Sequence, residues 1–378
     1  MTSLRKVGLN LLYLVPGETG GLETYARFLV PELPRARADL EFHAFVNEEL
    51  FDALPPELGS GALEIVRVSV TGRSRVRRTL TEQIALPRIA RSRGLDLLHS
   101  LGSTAPRRPG VKSVVTINDV IYALYPEAHT RVMRAGMRVL VPLAARGTDR
   151  VITLSHTAKK EIASVLSFPE DRIDVVQLAG KPVGPATPEG ELRERLGLDG
   201  VPVVLSVSAR RPHKNLPRLL NAFARIEHRS AVLVLPGYTT PFEDQLMRLA
   251  RELGIAERVR FLGWVSDPDL EGLYRVASCF VFPSLAEGFG LPVLEAMQRR
   301  VPVACSNVSA IPEVAGDAAR YFDPLSAEEI ATAVDELLSD GPLAARLAAA
   351  GTVRAGAFSW ERVAKETVAS YERALNER

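Results

Sequence analysis

The chain of 378 residues is too long for one ordinary hydrophobic core and fits two domains of average size. Hydrophobic residues make up 46% of it and charged residues 24%, which excludes wholesale disorder. No stretch approaches the ~20 apolar residues of a membrane span, and the first residues lack the apolar block of a signal peptide. We therefore expect a cytoplasmic protein that contacts a membrane only peripherally, if at all. Cys279 and Cys305 lie in separate strand-like runs, which predicts buried thiols rather than a disulfide or a metal site.

The net charge of +2 is distributed unevenly along the chain. Residues 1–180 carry a net charge of +5, and the remainder carries −3. Much of the excess lies in one arginine cluster, which consists of Arg73, Arg75, Arg77, Arg78, Arg88, Arg91 and Arg93. The cluster is compatible with a solvated basic face, or with attraction to anionic lipid headgroups or a phosphorylated acceptor. We do not expect nucleic-acid binding, because no aromatic residues are interleaved with these arginines.

Short apolar runs rich in Val, Ile and Leu alternate with helical patterns, as is typical of βαβ units and parallel sheets. In the first half the predicted strands are Lys6–Val15, Glu41–Val46, Leu63–Val70, Leu95–His99, Lys112–Ile117, Arg150–Leu154 and Ile173–Leu178. In the second half they are Val203–Val207, Ala231–Leu235, Val259–Leu262, Cys279–Phe282, Val301–Cys305 and Arg320–Phe322. The helices predicted between them include Asn215–Ile226, Phe242–Leu253, Asp269–Ala277 and Ala327–Leu338.

A segment rich in glycine and proline, Ala179–Gly190, separates the two halves. Such a density of these residues breaks regular structure and indicates a linker. We therefore predict one α/β domain at residues 1–180, a linker at 181–195, a second α/β domain at 196–358 and a closing helix at 359–378. A ligand is expected in a cleft between two such domains.

A glycine loop follows the first predicted strand. Gly17, Gly20 and Gly21 precede a helical pattern that runs through Leu33. Backbone N–H groups in such a loop can approach a phosphate at the positive end of the helix. The spacing matches neither the dinucleotide fingerprint nor a P-loop, so a tight structural turn is an equal alternative.

A cationic loop follows the first strand of the second half. It spans Ser208–Leu216 and contains Arg210, Arg211 and Lys214. Cations at the carboxyl edge of a sheet can neutralise the charge of a bound diphosphate. Taken alone, the same residues are compatible with ordinary surface charge.

An acidic, glycine-bearing loop follows the strand that ends at Phe282. Pro292 suits the first turn of the next helix, so that free N–H groups around Gly290 and Leu291 can bind an anion. Glu287 on the loop and Glu295 on the helix are suited to accept hydrogen bonds from sugar and ribose hydroxyls. Two glutamates at this spacing also occur by chance.

The string from Glu287 to Glu295 resembles the signature of glycosyltransferase family 4, in which seven residues separate two glutamates. Ser206–Leu220 resembles the strand and Lys-Asn phosphate loop of that family, and Gly20 with Gly21 resembles its amino-terminal glycine loop. Two further segments, Phe261–Val265 and Ile311–Ala319, are similar to neighbouring family blocks. The resemblance covers most of the chain and is most specific from about residue 203 to 324.

The resemblance implies the GT-B architecture, with two Rossmann-like domains whose parallel sheets face each other across a cleft. The donor would bind mainly to the carboxy-terminal domain and the acceptor to the amino-terminal domain, and the last helix would cross back to the first domain. It also implies retaining transfer of a hexose from a nucleotide-diphosphate sugar, without a cofactor or a bound metal ion. The acceptor would be a glycan, a lipid-linked carbohydrate or a small molecule. The Arg-Pro-His-Lys-Asn form resembles members that use GDP-mannose in polysaccharide assembly.

The resemblance also implies roles for single residues. Arg210 and Lys214 would bind the diphosphate and stabilise it as the leaving group. Glu287 would hold the donor sugar, and Glu295 would bind the ribose hydroxyls. The remaining substrate contacts would come from the backbone of Phe289, Gly290 and Leu291 and from Gly20, Gly21 and Asp119.

One residue departs from the family pattern. Thr116–Val120 resembles a block in which relatives often carry His-Asp, whereas this chain carries Asn118 and Asp119. An amide can replace a histidine that donates a hydrogen bond, but not one that must titrate. His99 and His129 are further candidates, and both are also compatible with structural roles.

Other classes of protein therefore remain open. A catalytically inactive nucleotide-sugar-binding protein would keep the carboxy-terminal motifs and lose the amino-terminal chemistry. A GT-B sugar-nucleotide epimerase would share the architecture. A nicotinamide dehydrogenase is disfavoured, because the glycine fingerprint is missing.

Overall fold

The structure is a computed structural model that describes residues 5–59, 63–128 and 130–376. His129 lies outside the described residues. The chain forms two compact units. The first comprises residues 1–124, 130–178 and 359–378, and the second comprises residues 125–129 and 179–358. None of the helices in the described part of the chain is both long and apolar enough to cross a bilayer.

The first unit is built on a parallel sheet with the strand order β3-β2-β1-β4-β5-β6-β7. Its strands are β1 (Arg5–Asn10), β2 (Leu40–Val46), β3 (Leu63–Arg67), β4 (Leu97–Ser100), β5 (Lys112–Thr116), β6 (Arg150–Thr153) and β7 (Ile173–Val175). Each overlaps a predicted strand, because a strand covered on both faces is a short continuous run of apolar residues. The prediction Lys6–Val15 was too long, since β1 ends at Asn10. Helices cover the sheet, and they are α1 (Gly21–Leu29), α2 (Glu32–Ala36), α3 (Glu48–Asp52), α4 (Arg75–Leu80), α5 (Leu86–Ser92), α6 (Ile121–Leu124), α7 (Arg131–Gly147) and α8 (His156–Leu166).

The second unit is built on a parallel sheet with the strand order β10-β9-β8-β11-β12-β13. Its strands are β8 (Val203–Leu205), β9 (Val232–Pro236), β10 (Val259–Leu262), β11 (Cys279–Phe282), β12 (Val303–Ser306) and β13 (Arg320–Phe322). Its helices are α9 (Glu189–Leu196), α10 (Leu216–Phe223), α11 (Glu243–Glu252), α12 (Asp267–Val276), α13 (Leu291–Gln298), α14 (Ile311–Ala315), α15 (Ala327–Ser339) and α16 (Gly341–Ala355). The predicted fold class is confirmed.

The sequence sets the helix boundaries through local signals. Ser155, Ser266 and Ser326 cap α8, α12 and α15, because each side chain accepts a hydrogen bond from a backbone N–H in the first turn. In contrast, α10 and α13 carry no capping side chain from any described residue and have proline in the first turn. Pro217 and Pro292 have no N–H, and the N–H groups of Arg218 and Val293 already bond to the carbonyl oxygens of Asn215 and Gly290. The N–H groups of Leu216 and Leu291 are therefore the ones in these first turns without a partner among the described residues, and both lie at the carboxyl edge of the second sheet.

The last helix, α17 (Trp360–Asn376), belongs to the first unit. Trp360 stacks on Phe28 with ring centroids 5.7 Å apart, and Ser370 donates a hydrogen bond of 2.6 Å to Asp174. The return of this helix to the amino-terminal sheet agrees with the expected architecture. The segment predicted as a linker, residues 181–195, contains an irregular stretch and then the start of α9 at Glu189.

Candidate functional site

The cationic loop after β8 and the acidic loop after β11 meet at the carboxyl edge of the second sheet. Strands β8 and β11 are hydrogen-bonded neighbours, so the loops that follow them start side by side. Lys214 Nζ lies 2.5 Å from Glu287 Oε1, and both side chains are largely shielded from solvent. Lys214 also lies over the Phe282 ring, 5.6 Å from its centroid. The structure thus brings two of the predicted site residues into direct contact.

Asn215 holds these loops in register. Its backbone is left-handed, with φ of 58°, which asparagine tolerates better than most residues. Its buried side-chain amide donates to the carbonyl oxygens of Pro283 (3.0 Å) and Pro324 (2.7 Å). A backbone bond from Leu285 N to His213 O (2.8 Å) joins the same two loops. Asn215 was not among the predicted site residues, although it is the asparagine of the Lys-Asn loop that the sequence analysis identified.

The segment from Glu287 to Leu291 forms a turn that ends in the N-terminus of α13. Ser309 Oγ fixes Glu287 by accepting from its N–H (3.0 Å) and donating to its carbonyl (2.9 Å). Gly290 has φ of 114°, which a residue with a Cβ would adopt only under strain. The Phe289 side chain is buried against Phe358, so its backbone is the part available to a ligand.

Arg210 lies apart from the Lys214–Glu287 pair. Its guanidinium is fully buried and donates to the carbonyl oxygens of Leu235 and Gly237 (2.9 Å each) and of Leu262. It also pairs with Glu243 at 3.2 Å, and burial lowers its pKa. A diphosphate contact would require the side chain to leave these acceptors. The contact expected from the sequence therefore stays a prediction, and the structure gives Arg210 a role in bracing the loops that follow β9 and β10.

Glu295 occupies a polar pocket on the inner side of α13. Its carboxylate is nearly buried and accepts a hydrogen bond of 3.3 Å from the Tyr274 hydroxyl. Burial raises the pKa of Glu295 above its ordinary value of 4.5, while the positive charges of Arg299 and Lys181 act in the opposite direction. A carboxylate in this setting can gain hydrogen bonds from hydroxyl groups of a ligand.

An aromatic pair, Tyr238 and Trp264, lies on the loops that follow β9 and β10. The ring centroids are 4.5 Å apart and the planes are tilted by 30°. The Trp264 side chain is 59% exposed, so one face of a large ring is open to solvent. Such a face can stack on a planar heterocycle. The sequence analysis did not single out this pair, although an aromatic residue within three positions of the end of each of two predicted strands was a usable signal.

The predicted residues of the first unit lie at the carboxyl ends of β1 and β5. Gly20 (φ 62°) and Gly21 form the N-terminus of α1, which has no capping side chain from any described residue. Asn118 follows β5, and its Oδ1 atom is buried without a hydrogen-bond partner among the described residues. Asp119 Oδ1 accepts from Ile121 N at 2.9 Å and shapes the turn. A buried, unsatisfied amide oxygen is costly, which favours a partner supplied by a ligand or by water.

His99 lies in the interior of the first unit. Its Nδ1 is 2.7 Å from the Tyr371 hydroxyl and its Nε2 is 2.8 Å from Thr116 Oγ1. Burial lowers the pKa of His99 to about 3, so the ring is neutral at physiological pH. The structure therefore gives His99 a part in fixing α17 and β5 rather than a ligand contact.

Among the described residues, one group has side chains close enough to share a metal ion, and it consists of Glu41, His43 and Glu64. The two ring nitrogens of His43 face different carboxylates, at 3.0 Å from Glu41 and 2.8 Å from Glu64, and Arg93 pairs with Glu64. Cys279 and Cys305 are buried free thiols, as predicted.

Comparisons with known proteins decide the family. The model of the glycosyl transferases of group 1 matches residues 189–354, and the model of glycosyltransferase family 4 matches residues 19–178. The chain is also 34% identical over 270 residues to the O-antigen chain mannosyltransferase B of Escherichia coli. This match covers 69% of this chain and 70% of that protein. The chain belongs to glycosyltransferase family 4.

A second relative of this glycosyltransferase is much longer. The serotype-specific mannosyltransferase WbdA of Escherichia coli is 27% identical over 237 residues, and the match covers 60% of this chain but only 29% of WbdA. Among solved structures, the Anabaena protein HepE in complex with UDP and glucose has a TM-score of 0.74 over 98% of this chain and 99% of its own, at 18% identity. That likeness establishes the GT-B fold of the glycosyltransferase.

Proposed function

We propose that this glycosyltransferase moves a hexose from a nucleotide-diphosphate sugar to its acceptor with retention of the anomeric configuration. The observation that carries the proposal is the Lys214–Glu287 pair at the carboxyl edge of the second sheet. A cation on the loop after β8 contacts a carboxylate on the loop after β11, and α13, which has no capping side chain from any described residue, begins four residues after that carboxylate. Phosphate oxygens and sugar hydroxyls need these complementary partners.

We assign the donor groups along this edge. The diphosphate binds Lys214 and the backbone N–H at the start of α13. Glu287 exchanges its lysine partner for sugar hydroxyls and holds the hexose. Glu295 accepts from the ribose hydroxyls. The nucleobase stacks on the open face of Trp264, whose ring rests against Tyr238.

The chemistry follows from where charge develops. As the bond between the anomeric carbon and the phosphate oxygen breaks, negative charge grows on the diphosphate, and Lys214 stabilises it. The acceptor oxygen bonds to the same face of the anomeric carbon, and its proton passes to an oxygen of the leaving diphosphate. The lysine and the helix N-terminus supply the positive charge, so the proposed reaction uses no cofactor and no metal ion.

We favour GDP-mannose as the donor and a glycan or lipid-linked carbohydrate as the acceptor. The support is the similarity to proteins named as mannosyltransferases, including the O-antigen chain enzyme. Asn118 and the N-terminus of α1, with Gly20 and Gly21, are the groups of the first unit suited to bind sugar hydroxyls, because each offers polar backbone or amide atoms without a described partner. Asp119 shapes the turn beside them.

An assay of sugar transfer tests the proposed function. Incubation with GDP-[¹³C]mannose and candidate acceptors, in the presence of a chelator, should yield a product whose one-bond C1–H1 coupling reports the same anomer as the donor. Inversion of the anomer would contradict the retaining assignment. Donor that is bound but never consumed would favour the inactive binding protein, and a changed sugar still attached to the nucleotide would favour the epimerase.

A further inference from the structure

One helical run of the first unit has an outer surface of a single charge sign. It comprises α4, the π-helical turn Thr81–Ala85 and α5, and it contains five of the seven residues of the arginine cluster. Its single acidic residue, Glu82, is 1% exposed and bonds inward to Asn10 and Thr104. The solvent-facing side therefore carries positive charge without any acidic compensation from this run.

The same side carries three large apolar side chains. Val76, Leu80 and Ile84 are 71%, 54% and 50% exposed. Because they are spaced four residues apart on a helical run, they line one side of it. A continuous row of exposed apolar groups is unusual for a protein surface that only water covers.

Arginines lie on both sides of this apolar row. Arg75 and Arg77 flank Val76, and Arg88 follows Ile84 by one turn. All three are exposed, and none forms a salt bridge with a described residue. Their charges are thus available to an external partner.

Helix α7 adds a second basic surface on the same face of the sheet. The connections from β3 to β4 and from β5 to β6 both move in the same direction across the strand order. Right-handed crossovers therefore place α4, α5 and α7 on one face. The sequence of α7 contains four arginines and no acidic residue, and its Val132 and Val139 are 81% and 58% exposed.

We propose that this basic–apolar surface, defined by Arg75, Val76, Arg77, Leu80, Ile84 and Arg88, docks on a bilayer that contains anionic lipids. The arginines attract the headgroups, and the row of Val76, Leu80 and Ile84 enters the interface between headgroups and acyl chains. A soluble polyanion would use the arginines but gain nothing from the apolar row. The inference stands independently of the proposed donor and reaction.

Flotation of the full-length protein with lipid vesicles tests the surface. Wild type should bind vesicles of phosphatidylcholine mixed with phosphatidylglycerol, but not vesicles of phosphatidylcholine alone, and binding should weaken as salt rises. The variant R75Q/R77Q/R88Q should lose about tenfold or more in affinity. V76S/L80S/I84S should also bind more weakly, because the apolar row no longer enters the interface.

The matched control is R225Q/R248Q/R251Q, which removes three exposed arginines from the second unit and should bind like wild type. Circular dichroism and thermal unfolding of every variant report folding separately from lipid binding. Equal binding of wild type to neutral and anionic vesicles would overturn the proposal. So would a serine variant that binds as tightly as wild type, since the surface would then be a general polyanion site.

Discussion

Lys214 and Glu287, 73 residues apart in sequence, form an ion pair in which Nζ lies 2.5 Å from Oε1. In the function proposed above, the lysine binds the diphosphate and the glutamate holds the hexose. The ion pair holds both side chains at the edge of the sheet and neutralises the charge of each. If the proposal is right, donor binding exchanges this contact for two others, and substitution of either residue affects the reaction.

Substitution of the lysine separates ground-state binding from catalysis. Lys214→Met should lower kcat by about 10²–10³-fold, with a smaller effect on donor affinity, because charge on the diphosphate grows only as the glycosidic bond breaks. Steady-state kinetics with a varied donor measures both quantities. Lys365→Met is the matched control, since Lys365 forms a 2.5 Å pair with Glu361 on the exposed face of α17. A raised KM with intact kcat would mean that Lys214 only anchors the donor.

Truncation of Glu295 should weaken binding of the nucleoside diphosphate by about 1–3 kcal/mol, the usual cost of leaving polar partners without a hydrogen bond. Isothermal titration of wild type and Glu295→Ala gives the difference directly. Tyr274→Phe, which removes the hydroxyl that donates to Glu295, should have a smaller effect. Unchanged affinity in Glu295→Ala would rule out its ribose contact.

The titration of Glu295 predicts a pH dependence. Burial raises its pKa above 4.5, and ribose hydroxyls donate better to the ionised form. Donor affinity should therefore be low below the pKa of the folded protein, rise as pH increases through it and then level off. Glu295→Gln should remove this dependence. The measurement should use the intact nucleotide sugar, and a wild-type affinity that is flat over this range would contradict the prediction.

Asn118, whose buried amide oxygen has no hydrogen-bond partner among the described residues, should matter for transfer but not for nucleotide binding. Asn118→Ala should impair transfer while leaving nucleoside diphosphate affinity nearly unchanged, because the base and diphosphate are assigned to the second unit. Asn118→His should fold and keep part of the activity, since the two side chains offer overlapping donors. Transfer assays and titration of the same samples check both statements. An alanine variant as active as wild type would make Asn118 a bystander.

His99 predicts how stability depends on pH. Burial lowers its pKa to about 3 in the folded protein, whereas an unfolded histidine titrates near its ordinary value of 6.5. Between these two pH values the histidine is protonated in the unfolded state but not in the folded state. The free energy of unfolding therefore falls by about 1.4 kcal/mol for each pH unit of acidification below pH ~6.5. His99→Gln should flatten this slope. In a Trp264→Phe background, Trp360 alone reports unfolding of the first unit, and equal slopes with and without His99 would contradict the account.

The positions of the strands were predictable because each is a short apolar run, and the sequence encodes such runs locally. The contact between Lys214 and Glu287 was anticipated only in outline, as two motifs that follow strands. The inward orientation of the Arg210 side chain was not predictable from the sequence. Its side chain turns inward because carbonyl groups of Leu235 and Leu262, from two other strands, accept its hydrogen bonds. Partners that distant in sequence leave no local pattern around residue 210.

The aromatic pair illustrates the same limit. Tyr238 and Trp264 each follow a predicted strand, but their contact depends on β9 and β10 being neighbours, which the order of strands along the chain does not specify. Asn118 differs from this pair. The residue was identified from the sequence, whereas its unsatisfied oxygen became visible only in the fold.

We propose above all that the nucleotide part of the donor binds to the second unit, along the edge that carries Lys214, Glu287, Glu295 and Trp264. Calorimetric titration with GDP-mannose and with UDP, ADP and dTDP sugars, in the presence of a chelator, tests it most directly. One of these donors should bind wild type and Asn118→Ala equally. The variant Trp264→Ala/Glu295→Ala should bind it at least tenfold more weakly, a loss of about 1.4 kcal/mol or more. Equal binding by that double variant, or no binding of any of these donors to wild type, would contradict the account.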